Sequence, residues 1–530
     1  MNKMLSALPF VMTLMSGASA NQEDSLLSSV LYRPAIHFSP LKNFMNDPNG
    51  LIWDQSTQTY HMYYQYNPNA TVAGNQHWGH ATSKDLFHWE DHPVALNIGS
   101  DGALIFSGSA VIDVNNTSGF FNGSSNKNFV AIYTRALLNG TQDQGLMYST
   151  DGGYTYTPYS GNPVIDLNST SFRDPAVQWH PEWNKWVMTV ALSREHKVRF
   201  YESTDLKNWT RLSEFSAGIY GVDYECPNLT PVTDVDGSKK YILFVSINPG
   251  MPLGGSATQY FIGDFNGTTF VPEDEATRLL EFTKDNYALQ YISQGSILNG
   301  TSSYGSNAFI GWVGNWQYAQ NTPTGSWRSA FTLARNYSIT ENVYGQRVIA
   351  QEPLNVETLR IDSESISSNV SLGSNNTEHK IELPVVTTAL ELIIKGNYSS
   401  LPSDAAPGQG RFNLKLANDF NEYVEAGLDW GSGNLWLNRD NLTGFDNPFF
   451  TGKFSTFTDV TNLDFNWRII VDASVLEFFA DDGITVGTMA YYSSIPLTNL
   501  ILESPNGENI DVEVEINPLA KSMNRTTIFG

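Results

Sequence analysis

Three carboxylates of the chain stand in the same local setting. Asp47 lies in Phe44-Met45-Asn46-Asp47-Pro48-Asn49-Gly50, Asp174 in Phe172-Arg173-Asp174-Pro175, and Glu225 in Tyr224-Glu225-Cys226-Pro227. Each adjoins apolar, strand-like sequence and has a proline within two residues, which fixes φ beside the acid and narrows the directions it can take. An acid held that way suits chemistry with strict geometry: a nucleophile when ionised, a general acid when protonated. Singly, Asp47 would be a solvated residue of an Asn-Gly hairpin and Arg173-Asp174 a surface pair. Three acids rigidified alike point instead to one site. Pro48 followed by Asn49-Gly50 further predicts that the first strand ends at Asp47 and reverses, leaving the carboxylate on the tip of a tight turn.

The elements that must position these acids are strands. Alternating, β-branched and aromatic runs recur at residues 61–66, 129–133, 185–192, 241–247 and 307–313, and long stretches of helical periodicity are nearly absent. The chain is therefore all-β. A loose repeat, Ser83-Lys84-Asp85-Leu86-Phe87-His88-Trp89 and Ser203-Thr204-Asp205-Leu206-Lys207-Asn208-Trp209, has a glycine-bearing variant at Ser149-Thr150-Asp151-Gly152-Gly153-Tyr154. Its spacing is about that of four strands with their turns, which predicts a five-bladed β-propeller over residues 21–353. After Gln351-Glu352-Pro353 the texture turns polar, so 354–365 is expected to be a linker and 366–530 a C-terminal β-sandwich. The sandwich could be a passive prop, help admit substrate, or pair two copies into a homo-oligomer.

In order and spacing, Asn46-Asp47-Pro48-Asn49-Gly50, Gln65-Tyr66-Asn67-Pro68, Trp78-Gly79-His80-Ala81-Thr82-Ser83, Phe106-Ser107-Gly108-Ser109, Arg173-Asp174-Pro175 and Glu225-Cys226-Pro227 resemble glycoside hydrolase family 32, the invertases, inulinases and levanases. The resemblance implies the same propeller and sandwich, with the site at the propeller axis. It also implies that Asp47 is the nucleophile, Glu225 the acid/base, and Asp174 the residue that accepts sugar hydroxyls and stabilises the oxocarbenium-like transition state, in a two-carboxylate, retaining reaction on terminal β-D-fructofuranosides such as sucrose. Asn46, Gln65, Trp78, the Phe106-Ser107 pair, Arg173 and Trp316 match positions lining the fructose pocket, where aromatic walls meet the C–H faces of a sugar and amides or hydroxyls its rim. Phe44, Ser171 and Ala176 stand where relatives usually carry Trp, Gln and Lys, which bears on contacts beyond the fructose ring. Two alternatives remain beside sucrose hydrolysis: an exo-inulinase or levanase acting on polymeric fructan, and a fructan-binding lectin, against which the retained acids speak. An arabinose- or xylose-releasing enzyme is a third, disfavoured by the sequence around Asp47 and Glu225.

Composition sets the surroundings. Residues 1–20 carry Lys3, an apolar run and Ala18-Ser19-Ala20, a secretory leader pattern, and no later run is long enough to span a bilayer. Sixteen Asn-x-Ser/Thr sequons fit a secreted glycoprotein of the extracellular or cell-wall space. A net charge of -24 argues against nucleic acid and anionic membrane as partners and identifies no substrate; the small saccharide expected as partner is what the family resemblance implies. The single cysteine, Cys226, excludes an intrachain disulfide and is expected to be a buried, inert thiol. His77, His80 and His88 are too dispersed for a metal site and no glycine-rich phosphate loop leads from a strand into a helix, so no metal and no cofactor are expected.

Overall fold

The computed structural model describes residues 28–123, 125, 127–294, 307–384, 389–401 and 405–523. The leader pattern and the sequons at Asn299 and Asn524 lie outside them. Five sheets follow one another along the chain, with innermost strands Asn43–Asp54, Leu104–Ile112, Phe172–His180, Tyr224–Thr233 and Tyr287–Tyr291. Each inner strand pairs antiparallel with the next strand in sequence or its near neighbour, as in propeller blades. The ring closes where Asn43–Asp54 also pairs in parallel with Ser293–Gln294 and Trp327–Arg328 of the last blade's segment. Two six-stranded antiparallel sheets then form the sandwich, and their inward leucines, isoleucines and aromatics make its core.

The repeated Ser-x-Asp-Leu segments are the turns between the third and fourth strands of their blades. Asp85 accepts N–H bonds from Phe87 and His88, and Asp205 from Lys207 and Asn208, while Trp89 and Trp209 each donate their indole N–H to the carbonyl three residues back. Local side-chain-to-backbone bonds thus fix the corner without help from the rest of the fold.

One local expectation is corrected. Asn43–Asp54 is a single twelve-residue strand that runs through Asp47-Pro48-Asn49-Gly50 without reversing. Two register shifts, between Met45 and Pro48 and between Asn49 and Ile52, absorb the proline and the glycine as bulges. Gly50 takes φ +52°, and a Cβ there would stand 2.7 Å from the Tyr63 ring. Cross-strand pairing on one side and ring closure on the other outweigh the turn propensity of three residues.

The segment 354–365 holds two short 3-10 turns and buries Val356 and Leu359 in a cluster with Ala35, Ile36, Ile470 and Phe479. The stretch preceding the first blade therefore packs on the sandwich as well. No helix among the described residues is long and apolar enough to cross a membrane.

Candidate active site

All five inner strands carry a register shift at the same depth, between Met45 and Pro48, Ile105 and Gly108, Arg173 and Ala176, Glu225 and Asn228, and Tyr287 and Gln290. A bulge re-aims side chains that would otherwise alternate across the blade. Asp174, Cys226 and Ala288, one in each of three bulges, have positive φ (67°, 47° and 51°). The residues so presented, Asp47, Ser107, Asp174, Glu225 and Tyr287, come one from each blade.

Cys226 marks how close they lie. Its buried Sγ is 3.8 Å from Asp47 Oδ2 and 3.7 Å from Asp174 Oδ2, and its backbone N–H donates to Asp174 Oδ2 at 3.0 Å. Burial, and then the neighbouring carboxylates, push the thiol well above its ordinary range, so it stays protonated. Ser107 donates to Asp47 Oδ2 at 2.6 Å and Asn46 Nδ2 to Oδ1 at 3.0 Å, so both oxygens of this carboxylate are oriented by neutral donors. Arg173 grips Glu225 Oε1 with Nε at 3.1 Å and Nη2 at 2.9 Å, and Tyr287 donates its hydroxyl to Oε2. A second carboxylate, Asp223, reaches the same Arg173 Nη2 at 3.1 Å.

Burial pushes Asp47 up to about 6; the Ser107 bond pulls the other way and the Glu225 charge adds to the rise. Burial likewise pushes Asp174 up to about 7, with Arg173 opposing and Glu225 and Asp47 reinforcing. Buried carboxyls crowded together resist ionising together, the arrangement that lets one acid attack while another holds a proton.

The remaining expected residues fall into two layers. Gln65 donates to the Ile105 carbonyl at 3.0 Å and Trp78 its indole N–H to the Phe106 carbonyl at 3.1 Å, and both are buried. They hold the strand that presents Ser107. Trp316 and Phe106 are half-buried, and Trp316 stacks near Phe44 and Trp312 with centroids 6.1 and 4.9 Å away. Phe44, itself buried, thus packs against Trp316.

Sequence reasoning missed Tyr287 and an inner ring of amides. Asn49 Oδ1 accepts from Gly108 N, Gln290 bridges Leu51 N and the Gly108 carbonyl, and Asn228 Nδ2 reaches the Cys226 and Leu289 carbonyls. These tie neighbouring blades at the axis and satisfy backbone groups that the bulges free. The available clue was positional: Tyr287-Ala288-Leu289 occupies in the fifth blade the place of Glu225-Cys226-Pro227 in the fourth.

Comparison with known proteins gives the family. Residues 37–353 match the family described as Glycosyl hydrolases family 32 N-terminal domain, and residues 355–518 its C-terminal counterpart. The chain is 39% identical to an invertase of Debaryomyces hansenii over 88% of this chain and 89% of that one. It is 38% identical to an extracellular exo-inulinase of Meyerozyma guilliermondii over 92% and 95%. The β-fructofuranosidase of Schwanniomyces occidentalis complexed with fructosyl-erythritol superposes with a TM-score of 0.84 at 36% identity, over 93% of this chain and 99% of that one.

Proposed function

Because the chain belongs to glycosyl hydrolase family 32, we propose that it is a β-fructofuranosidase that hydrolyses terminal non-reducing β-D-fructofuranosides, sucrose first among them, with retention of configuration. The observation that carries the reading is the cluster of Asp47, Asp174 and Glu225 around the Cys226 thiol, each acid oriented by its own donors.

Asp47 attacks the anomeric carbon of the fructosyl unit while Glu225 gives its proton to the glycosidic oxygen, and the C–O bond to the leaving sugar breaks. The fructosyl ester on Asp47 is then attacked by water, whose proton returns to Glu225, and fructose leaves with its original configuration. Asp174 accepts hydrogen bonds from ring hydroxyls as positive charge develops. Tyr287 can donate to Glu225 as a carboxylate or accept from it as an acid, so one contact serves both halves of the cycle.

The exo-inulinase relative makes longer fructans the second substrate to test. Its name and the leader pattern of residues 1–20 support export of this chain. Supernatant of a culture expressing the chain, incubated with sucrose, inulin and arabinan, is expected to release fructose from the first and to a smaller extent the second. Release of arabinose, or of no monosaccharide, overturns the reading. Proton NMR of the first-formed fructose anomer reports retention.

A further inference from the structure

A groove of about 960 Å³ separates the sandwich from the outer edge of the fifth blade, and no acid of the catalytic cluster lines it. That volume is at the upper end of the roughly 300–1,000 Å³ typical of ligand sites. Its floor is the outward face of one sandwich sheet. Across three adjacent strands Asn369, Glu513 and Lys395 form one row, and Ser371, Asp511 and Asn397 the next. Alternate residues, Val370, Val512 and Ile394, turn inward to the core, so strand alternation points the polar set into the groove. The wall carries Tyr344, from the hairpin of the fifth blade, and Phe457, from the sandwich, 66% and 53% exposed with ring centroids 6.2 Å apart. Two large rings left in water beside amides and carboxylates make the surface a saccharide fits: C–H faces on the rings, hydroxyls on the polar floor.

The sequence supplies the saccharide. Asn369-Val370-Ser371 and Asn397-Tyr398-Ser399 are both sequons, and both asparagines are exposed on the groove floor. Sequon status alone does not make a usable site: Asn228-Leu229-Thr230 is also one, yet Asn228 is buried beside the catalytic cluster with its amide committed to two carbonyls. We propose that the groove seats this chain's own N-linked glycan, carried on Asn397 and Asn369, with its first sugars against Tyr344 and Phe457, so that it bridges blade and sandwich. Attachment is a transfer from a lipid pyrophosphate-linked oligosaccharide. The asparagine amide nitrogen bonds to the anomeric carbon, the bond from that carbon to the pyrophosphate oxygen breaks, and the amide loses one proton. The linked amide keeps its other N–H, which can go on donating to Asp464 as Asn397 does in the bare chain. The inference rests on the export reading, since the donor belongs to the secretory pathway.

The test uses the full chain secreted from a yeast host. Glycan release in heavy-oxygen water, followed by peptide mapping, gives occupancy, and endoglycosidase digestion of the native protein gives accessibility. Asn369 and Asn397 are expected to be occupied and to lose their glycans about tenfold more slowly than the exposed Asn69 and Asn139, a difference well within reach of a modest contact energy. Tyr344→Ala with Phe457→Ala should erase that protection while occupancy stays. Asn369→Gln with Asn397→Gln should lower the melting temperature and leave kcat on sucrose unchanged. Occupied Asn69 and Asn139 beside two bare groove sites, or equal trimming rates at all four, overturns the inference. If no sequon is occupied, the export reading falls and this inference with it.

Discussion

The carboxyls at the propeller axis and those at the seam between propeller and sandwich are comparably buried, and the chain treats their charge in opposite ways. At the seam, Asp472 accepts three backbone N–H bonds, from Ala35, Ile36 and His37, and a fourth from the His37 ring. Glu477 takes the other His37 nitrogen at 3.2 Å, the Leu333 N–H at 2.8 Å and Arg335 Nε at 3.1 Å, and Arg335 continues to Glu281 and Thr488. Burial disfavours its charge, yet Arg335 and His37 hold Glu477 down at about 2. Burial also opposes the charge on His37, and the bonds to Asp472 and Glu477 outweigh it, raising the ring to about 9. At the axis, Asp47 and Asp174 go the other way, to about 6 and 7: burial drives both up, the Glu225 charge adds to the rise, and the opposing Arg173 acts on Asp174 alone of the two. The seam spends its cations on cohesion. The axis has Arg173 among Asp174, Asp223 and Glu225, and under the proposed mechanism the raised carboxyls beside it are the ones put to use.

The largest effect should come from removing charge at the axis, read in activity. Asp47→Asn should cost at least about 10⁴-fold in kcat on any fructoside, since the covalent step is gone. Glu225→Gln should lose a similar factor on sucrose but regain much of its first-step rate on an aryl fructoside with an acidic leaving group. Rescue of Asp47→Asn instead of Glu225→Gln would reverse the two roles.

The seam should respond in stability. Arg335→Met strands Glu281 and Glu477, and breaking a buried pair from one side costs about 3 to 5 kcal/mol, measured by urea unfolding, with activity per folded molecule retained. Linkage gives the seam its own pH window. Glu477, depressed from 4.5 to about 2, contributes stability above 4.5 that is lost as pH falls through 2. His37, raised from 6.5 to about 9, contributes stability below 6.5 that is lost as pH rises through 9. A plateau between those limits, flattened in His37→Gln at its alkaline end, is the expected profile.

Removing an axial charge should then do the reverse of breaking the seam. Asp174 binds a proton in the folded chain up to about 7 and in the unfolded chain only to 3.8, so its contribution falls as pH rises through that interval. Asp174→Asn is expected to raise stability at pH 7 by about 1 to 3 kcal/mol and to lose that advantage below pH 4. The figure follows from roughly 1.4 kcal/mol for each tenfold change in proton affinity, reduced because the neighbouring acids titrate together. A destabilised Asp174→Asn at pH 7 would show that the axial charges are compensated after all.

The smallest effect tests whether the axial acids are positioned as well as crowded. Tyr287→Phe removes the donor on Glu225 Oε2 and leaves Arg173 on Oε1. A loss of about tenfold in kcat on sucrose, with KM little changed and a smaller loss on the activated aryl fructoside, is expected of a residue that positions the acid/base. Equal losses on both substrates would assign Tyr287 to the pocket wall instead.

Much of the molecule was written in the chain. Strand-type runs marked the blades, and Asp85, Asp151 and Asp205 marked blade corners because each caps its own turn through bonds within a few residues. The motifs around Asp47, Asp174 and Glu225 named the family, since short runs of fixed order survive as sequence whatever the fold does. The rest depends on partners far along the chain. Asp47-Pro48-Asn49-Gly50 reads locally as a hairpin and is drawn into a twelve-residue strand by pairing with residues 59–67 and 293–294. Tyr287 has no motif of its own and becomes a site residue because the fifth blade brings its bulge to the Glu225 carboxyl. His37 and Glu477 are 440 positions apart, and the interactions that set their charges arise only when propeller and sandwich dock. Local propensity is worth tenths of a kcal/mol per residue; burial of a charge and closure of a ring are worth several, and these are settled only in three dimensions.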